Sequence, residues 1–508
     1  MNRWNWKSDS GYITFVKKTF YFLILSAFAS CNITKSSSFD PNSKYSPAEL
    51  RRDFSILNKV LKANHPSLYW YSTEDSVNNA FAKTYDSLND SLTQQQFRRR
   101  VAWVINKIHC GHTVVRPSKA YIKYYSKQKV KVFPFYLKVW SDSAIVMNNL
   151  LREDSTIKRG MAVLAINDIP IKQILDSMCS LISSDGYSNI FKYQLISFNF
   201  PAFYQNTYGI DSSYKVAYLD STGNEKEKFY KNFQGNLDFL NSKQQPLEGE
   251  ITRRKLRQLN LLAERNIEID SSLKTALLSV NTFSKGKLIR FFRRSFKRIK
   301  QQNIQNVVLD LRLNTGGSVI ACTRLSQYLT DKPFRVADTV AAYNRSFPYK
   351  KYVKPWLVYW LSMQISGRRY SDERIHFRYF EKHTFEPKRR NHFNGNIYVL
   401  TGGYTFSAAT LVAANLKGQH NVTIVGEETG GGGYGNSAML ITNVALPNTG
   451  LRITLPLYRM VLNANRAKNG RGILPDVRVN PSSEYIKKNV DAKLVKALEI
   501  IRQRNRSL

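Results

Sequence analysis

The sequence predicts an α/β protein, and three observations carry that expectation. From about residue 270, short apolar runs alternate with helical patterns, the order that builds a parallel sheet with helices on its faces. The runs "NVVLDLRLN" and "NIYVLTGG" are near-continuously apolar, as strands covered on both faces are. Glycine turns stand where those runs end, at Gly316-Gly317 and Gly402-Gly403. The site of such a sheet falls at its strands' C-terminal ends.

The N-terminal stretch "FVKKTFYFLILSAFASC" sets Lys17 and Lys18 before an apolar run. That run, about a dozen residues, is too short to span a bilayer and suits a signal sequence. Small residues precede Cys31, which resembles a bacterial lipoprotein signal. Residues 1–30 would be removed, Cys31 lipidated, and residues 31–45 left as a flexible tether. An ordinary secretory signal with an incidental cysteine is the alternative. The other cysteines, Cys110, Cys179 and Cys322, are odd in number and widely spaced, which argues against a disulfide framework or metal-ligand spacing. The expected location is the bacterial cell envelope, lipid-anchored and facing the periplasm or the surface.

With 43% hydrophobic residues the chain can build a core. Its 76 Lys and Arg against 37 Asp and Glu give +39, a surface for anionic partners such as lipid head groups or acidic polysaccharide. No zinc-finger, homeodomain or RNP pattern accompanies that charge, so nucleic acid is not an expected partner.

Residues 46–115 read as a small N-terminal helical domain. Ser46 and Pro47 cap the first helical pattern, and "QQQFRRRVAWVINKIHCGHT" ends the second at Gly111-His112. Residues 130–225 alternate like strands, with a turn at Asp185-Gly186. There the Gly160–Asp168 stretch, followed by a helix from about Ile171, resembles a PDZ domain. A less regular, β-prone stretch fills about 200–250. The α/β part spans 270–485, and in it "LIRFFRRSFKRIKQQNI" puts Phe292, Phe296 and Ile299 on one helix face. Residues 345–393 form a basic, aromatic insertion, expected as a lid packed on the core. Its "KPWLVYWLSMQISGRR" has a membrane surface as the alternative partner. Residues 486–508 read as a basic C-terminal helix.

Four stretches carry the chemistry: "CGHT" at 110, "VVLDLRLNTGGS" at 307, "VLTGGYTFSAAT" at 399 and "IVGEETGGGG" at 424. In that order, with a PDZ-like segment after the first, they resemble the C-terminal-processing (tail-specific) serine peptidase family over roughly residues 46–480. The resemblance implies a ClpP/crotonase-like catalytic domain, a polypeptide substrate, an acyl-enzyme on Ser407, and no metal or organic cofactor. Elementary chemistry agrees. A serine hydroxyl needs a base, and a turn between a buried strand and a helix presents it to substrate. The helix start offers the Ala408 N–H to an oxyanion, and the glycine turn offers that of Gly317. The bland alternatives are a helix cap for Ser407 and a simple tight turn for the glycines. The "GGGG" at 430–433 lacks the Lys-Ser/Thr of a phosphate loop and is expected as a flexible wall of the peptide cleft.

The base separates the family's branches. One branch uses a lysine in a "T-F-G-K-G" stretch, and here Gly432 stands in its place. Lys417 lies at the far end of the helix that Ser407 opens, roughly 15 Å away at about 1.5 Å per residue. The tricorn-like branch uses a histidine that matches His112, whose imidazole titrates near neutrality. His109 is the fallback. Two departures stand out. Gly111 replaces that branch's serine, and Asn469, in "NGRGILPD", replaces its glutamate. Asn469 could orient an imidazole but not stabilise imidazolium by charge. The expectation is therefore a Ser407–His112 dyad oriented by Asn469, with reduced activity. The alternatives are a catalytically impaired peptide-binding lipoprotein on a peptidase scaffold and a membrane- or polysaccharide-associated structural lipoprotein.

Overall fold

Ser46 opens the first helix, α1 (Pro47–Asn64), through a capping box with Glu49, and Thr93 opens α3 (Gln94–Asn106) through one with Gln96. The computed structural model describes residues 39–235 and 252–506. The expected signal and Cys31 lie outside the described residues. The end of the expected tether is not free chain, since Lys44–Tyr45 pairs antiparallel with Leu92–Thr93. With α2 (Glu74–Asp86), the first helices bury Leu50, Phe54, Leu57, Phe97 and Val101 in a core continuous with that of the α/β part.

Strands β1 (Phe135–Trp140), β2 (Ser143–Asn149), β3 (Ala162–Ile166), β4 (Ser213–Leu219) and β5 (Glu225–Lys231) pair antiparallel in the order β5-β4-β3-β2-β1. Helices α4 (Ile171–Cys179), α5 (Ile190–Phe198) and α6 (Phe200–Tyr208) pack with them around a separate core that includes Phe133, Leu137, Ile174 and Phe200. The stretch expected to be irregular and β-prone from residue 200 thus begins as a helix. Its aromatics suggest strand, but Phe200, Tyr204 and Tyr208 recur every fourth residue and stack in series at 6.1 and 5.1 Å.

The α/β sheet follows the order β6-β7-β8-β9-β10-β11: β6 (Arg265–Asp270), β7 (Thr275–Val280), β8 (Asn306–Asp310), β9 (Asn396–Thr401), β10 (Val422–Gly426) and β11 (Val477–Arg478). Only the edge strand β6 is antiparallel to its neighbour. Val307, Val308, Leu309, Val399 and Leu400 have no exposed surface, as the unbroken apolar runs require. α7 (Leu288–Gln301) buries Phe292, Phe296 and Ile299. α8 (Val319–Leu329) follows the Gly316-Gly317 turn, and α10 (Ala408–Leu416) follows Ser407. At the C-terminus, α11 (Ala492–Arg506) buries Ala497 and Ile501 in a cluster with Val308, Tyr398 and Leu400.

Two smaller sheets complete this part. The insertion at 345–393 is woven into both, through Ile375–His376 against Thr339–Ala342 and Val353–Lys354 against Thr442–Ala445. Between those two pieces lies α9 (Trp356–Ser366). Strand Arg452–Leu455 pairs on one side with Thr442–Ala445 and on the other with Val115–Arg116. That last pairing binds the segment after "CGHT" to the α/β part. Among the described residues no helix is long and apolar enough to cross a membrane.

Candidate active site

Ser407 sits on the turn from β9 to α10 with φ 54° and ψ −122°, a conformation that costs an L-residue of order 1–3 kcal/mol. Its side chain makes no capping hydrogen bond, so the helix-cap reading of this serine fails. Neighbouring bonds hold the turn. The Phe406 N–H donates to the Asn314 carbonyl at 3.1 Å. The Thr405 hydroxyl accepts from the Gly402 N–H at 3.1 Å and donates to the Leu311 carbonyl at 3.0 Å.

The glycine turn after β8 packs directly against Ser407. A Cβ on Gly316 would lie 2.7 Å from Ser407 Cβ and 2.9 Å from Ala408 N. Both glycines have positive φ, 99° and 136°, so sterics and backbone shape each require glycine here. Asn314, buried, fixes the turn: its Oδ1 accepts the Gly316 N–H at 2.9 Å and its Nδ2 donates to the Val280 carbonyl at 2.8 Å. The Gly316 N–H is thereby used. Ala408 is the first residue of α10, where an N–H has no carbonyl one turn back. Gly317, Ala408, Ser407 and His112 together line one cavity of about 330 Å3.

His112 reaches this cavity on a stitched loop. The Thr454 hydroxyl donates to the His112 carbonyl at 2.5 Å and accepts from the Val114 N–H at 2.8 Å. On the other side, His65 Nδ1 accepts from the Ser67 N–H at 3.2 Å, so its Nε2 donates to Thr113 Oγ1 at 2.8 Å. The His112 ring lies 4.8 Å from the Phe406 ring, centroid to centroid. Its side chain is 8% exposed, and burial pushes its pKa down to about 4.

The acid beside it is Asp185. Oδ1 of Asp185 lies 3.9 Å from His112 Nδ1, and that nitrogen has no hydrogen-bond partner among the described residues. Asp185 accepts the Gly111 N–H at 2.8 Å and the Gly432 N–H at 3.5 Å. Burial pushes its pKa up to about 7 against those two bonds. A Cβ on Gly111 would meet Phe406 Cζ at 2.6 Å and Asp185 N at 3.2 Å, so the absent side chain at 111 is what lets the Asp185 loop approach. His109, the fallback base, instead clamps that loop: its Nδ1 bonds the Gly186 carbonyl at 2.9 Å, and its own carbonyl accepts the Gly186 N–H at 3.1 Å.

Asn469, expected to orient His112, is exposed and accepts the Arg471 N–H at 3.1 Å. Motif position placed the residue type but not the direction of its side chain. Asp185 went unrecognised because Asp-Gly reads as a turn, and only the fold brings it to His112. Lys417 pairs with Asp476, away from the role of base. The glycines at 430–433 are buried, and a Cβ on Gly430 would come 2.0 Å from the Gly403 carbonyl oxygen. They are packed against neighbouring backbone and do not line the cavity, so they are not the flexible cleft wall expected. Among the described residues no group of three His, Cys, Asp or Glu side chains is arranged to hold a metal.

The model of peptidase family S41 matches residues 274–479. The crystal structure of mature CPAF is similar to this chain with a TM-score of 0.62 at 14% identity, covering 90% of this chain and 98% of that one. Mature CPAF complexed with lactacystin gives 0.63 at the same identity and coverage. At such identity the likeness shows the fold. The photosystem II D1 C-terminal processing protease aligns over 88% of this chain and 98% of its own at 13% identity, with a TM-score of 0.39. No curated protein matches the sequence.

Proposed function

We propose that this chain, whose residues 274–479 match the model of peptidase family S41, is a serine endopeptidase that cuts polypeptides through an acyl-enzyme on Ser407. The observation that carries this reading is the single cavity shared by His112, Ser407, Gly317 and Ala408, which come from three separate segments of the chain.

With Nδ1 turned toward Asp185, Nε2 of His112 takes the proton of the Ser407 hydroxyl. Ser407 Oγ attacks the scissile carbonyl, and the N–H groups of Gly317 and Ala408 hold the oxyanion. One such donor is worth about 2.7–4 kcal/mol in the transition state. The imidazolium then gives its proton to the leaving amine, and water repeats the cycle on the ester. Asp185 takes the part that Asn469 cannot: as a carboxylate it stabilises imidazolium. A small closure of the 3.9 Å gap makes that contact a hydrogen bond.

The antiparallel sheet of residues 135–231 supports a PDZ-like role, in which a substrate strand adds to a sheet edge and chain ends are preferred. The N-terminal signal pattern supports lipid anchoring at Cys31 in a bacterial envelope. A second reading, a peptide-binding lipoprotein without turnover, is favoured by His112 Nδ1, which has no hydrogen-bond partner among the described residues. Incubation with an unfolded protein such as casein separates the two. Cleavage by wild type, lost in both Ser407→Ala and His112→Ala, supports the peptidase. Binding without cleavage gives the second reading, and undiminished cleavage by Ser407→Ala ends the first.

A further inference from the structure

The basic, aromatic insertion keeps a surface that peptide hydrolysis does not use. Its helix α9, "WLVYWLSMQIS", contains no charged residue and buries only Met363. Leu357, Leu361 and Ile365 recur every fourth residue and so share one face. On that face Leu357 is 47% and Ile365 77% exposed, and the adjacent Val358 is 37% exposed. The opposite side, through Met363, Trp356 and Tyr359, packs on the core. Exposed large apolar side chains in one stripe mark an interaction surface.

Cations flank the stripe at both ends. Lys350, Lys351 and Lys354 precede the helix, Arg368 and Arg369 follow it, and all five are exposed. Lys350 Nζ stands 4.6 Å over the Trp356 ring. The acids nearest in sequence are Asp372 and Glu373, and Asp372 is engaged with His376. An uncharged apolar stripe between clusters of lysine and arginine, on a chain of net charge +39, fits an anionic bilayer: the apolar face enters the boundary of head groups and acyl chains, and the cations meet phosphates.

We infer that α9 and its flanking cations are a docking face for an anionic lipid membrane. This goes beyond the peptidase reading and does not rest on it. From its core-facing side the helix is also bonded to the wall of the catalytic cavity. The Tyr359 hydroxyl donates to the Ile441 carbonyl at 2.7 Å, and Ile441 lines that cavity with Met439 and Leu440. Docking through α9 therefore sets the cleft beside the bilayer, where membrane-associated polypeptides are within reach.

The test uses the chain from residue 41, which spans the compact unit and lacks Cys31. It is floated with phosphatidylcholine vesicles with and without phosphatidylglycerol. Flotation is expected only with the anionic lipid. The triple variant Leu357→Ser/Leu361→Ser/Ile365→Ser and the charge variant Lys350→Glu/Lys351→Glu/Lys354→Glu should each lose about tenfold or more in partitioning, with thermal midpoints kept. No flotation of the unaltered chain overturns the inference, as does flotation undiminished in the apolar variant. So does a lipid-indifferent dimer that the apolar variant dissolves, which would make α9 a contact between copies.

Discussion

Nδ1 of His112 lies 3.9 Å from Oδ1 of Asp185, with the two side chains 8% and 2% exposed. Burial favours the neutral form of each, lowering the imidazole to about 4 and raising the carboxyl to about 7. At neutral pH the imidazole is thus a free base, and the carboxyl is at the edge of ionising. Only the ionised carboxylate can stabilise the imidazolium that the proposed reaction forms.

The peptidase rate should therefore rise as pH increases through about 7, as Asp185 ionises. Asp185→Asn should lower kcat by about a hundredfold or more and abolish that limb of the profile. Asn469→Ala, altering an exposed side chain, should leave both unchanged. Steady-state kinetics across pH on the three proteins check this.

Stability should carry a linked signature. Asp185 keeps in the fold, up to about 7, a proton that the unfolded chain releases near its ordinary 3.8, so its contribution falls as pH rises between those values. His112 stays neutral down to about 4, whereas the unfolded chain protonates it near 6.5, so its contribution rises with pH between those values. From about 4 to 6.5 the two cancel. Asp185→Asn removes the falling member, so its stability relative to wild type should rise with pH from about 4 to about 7. Denaturant melts at a series of pH values measure the difference, and a flat or falling difference would contradict the assigned burial.

Gly316→Ala should abolish activity and cost about 1–3 kcal/mol of stability. The new Cβ would press on Ser407 Cβ at 2.7 Å, and position 316 itself has a φ of 99°. Turnover and urea midpoints read both effects. A stable variant of normal activity would mean that the turn does not support the serine.

Thr454→Val keeps shape while removing the hydroxyl that joins the His112 carbonyl to the Val114 N–H. It should cost about 1–3 kcal/mol and lower kcat more than it raises KM, because the base loses its support while the peptide cleft does not. Kinetics with a denaturant melt check this.

Much of this was legible in the sequence, because it is written in local pattern. Unbroken apolar runs marked β8 and β9 as buried strands, and the strand–turn–helix spacing marked Ser407. Capping residues at Ser46 and the apolar face of α7 also appear where the pattern places them. What was not legible depends on tertiary approach. Asp185 reaches His112 only because Gly111 lacks a side chain and Gly432 closes over the carboxylate. The glycines at 430–433 suggested freedom but serve close backbone contact. Aromatic richness hid the helix at 200–208, where every-fourth-residue spacing was the better guide.

The most direct measurement is peptide mapping after reaction with a fluorophosphonate. The account predicts a phosphonyl adduct on Ser407 in wild type, much slower to form in His112→Ala and absent in Ser407→Ala. Equal labelling of wild type and Ser407→Ala, or an adduct mapped to another residue, would contradict it.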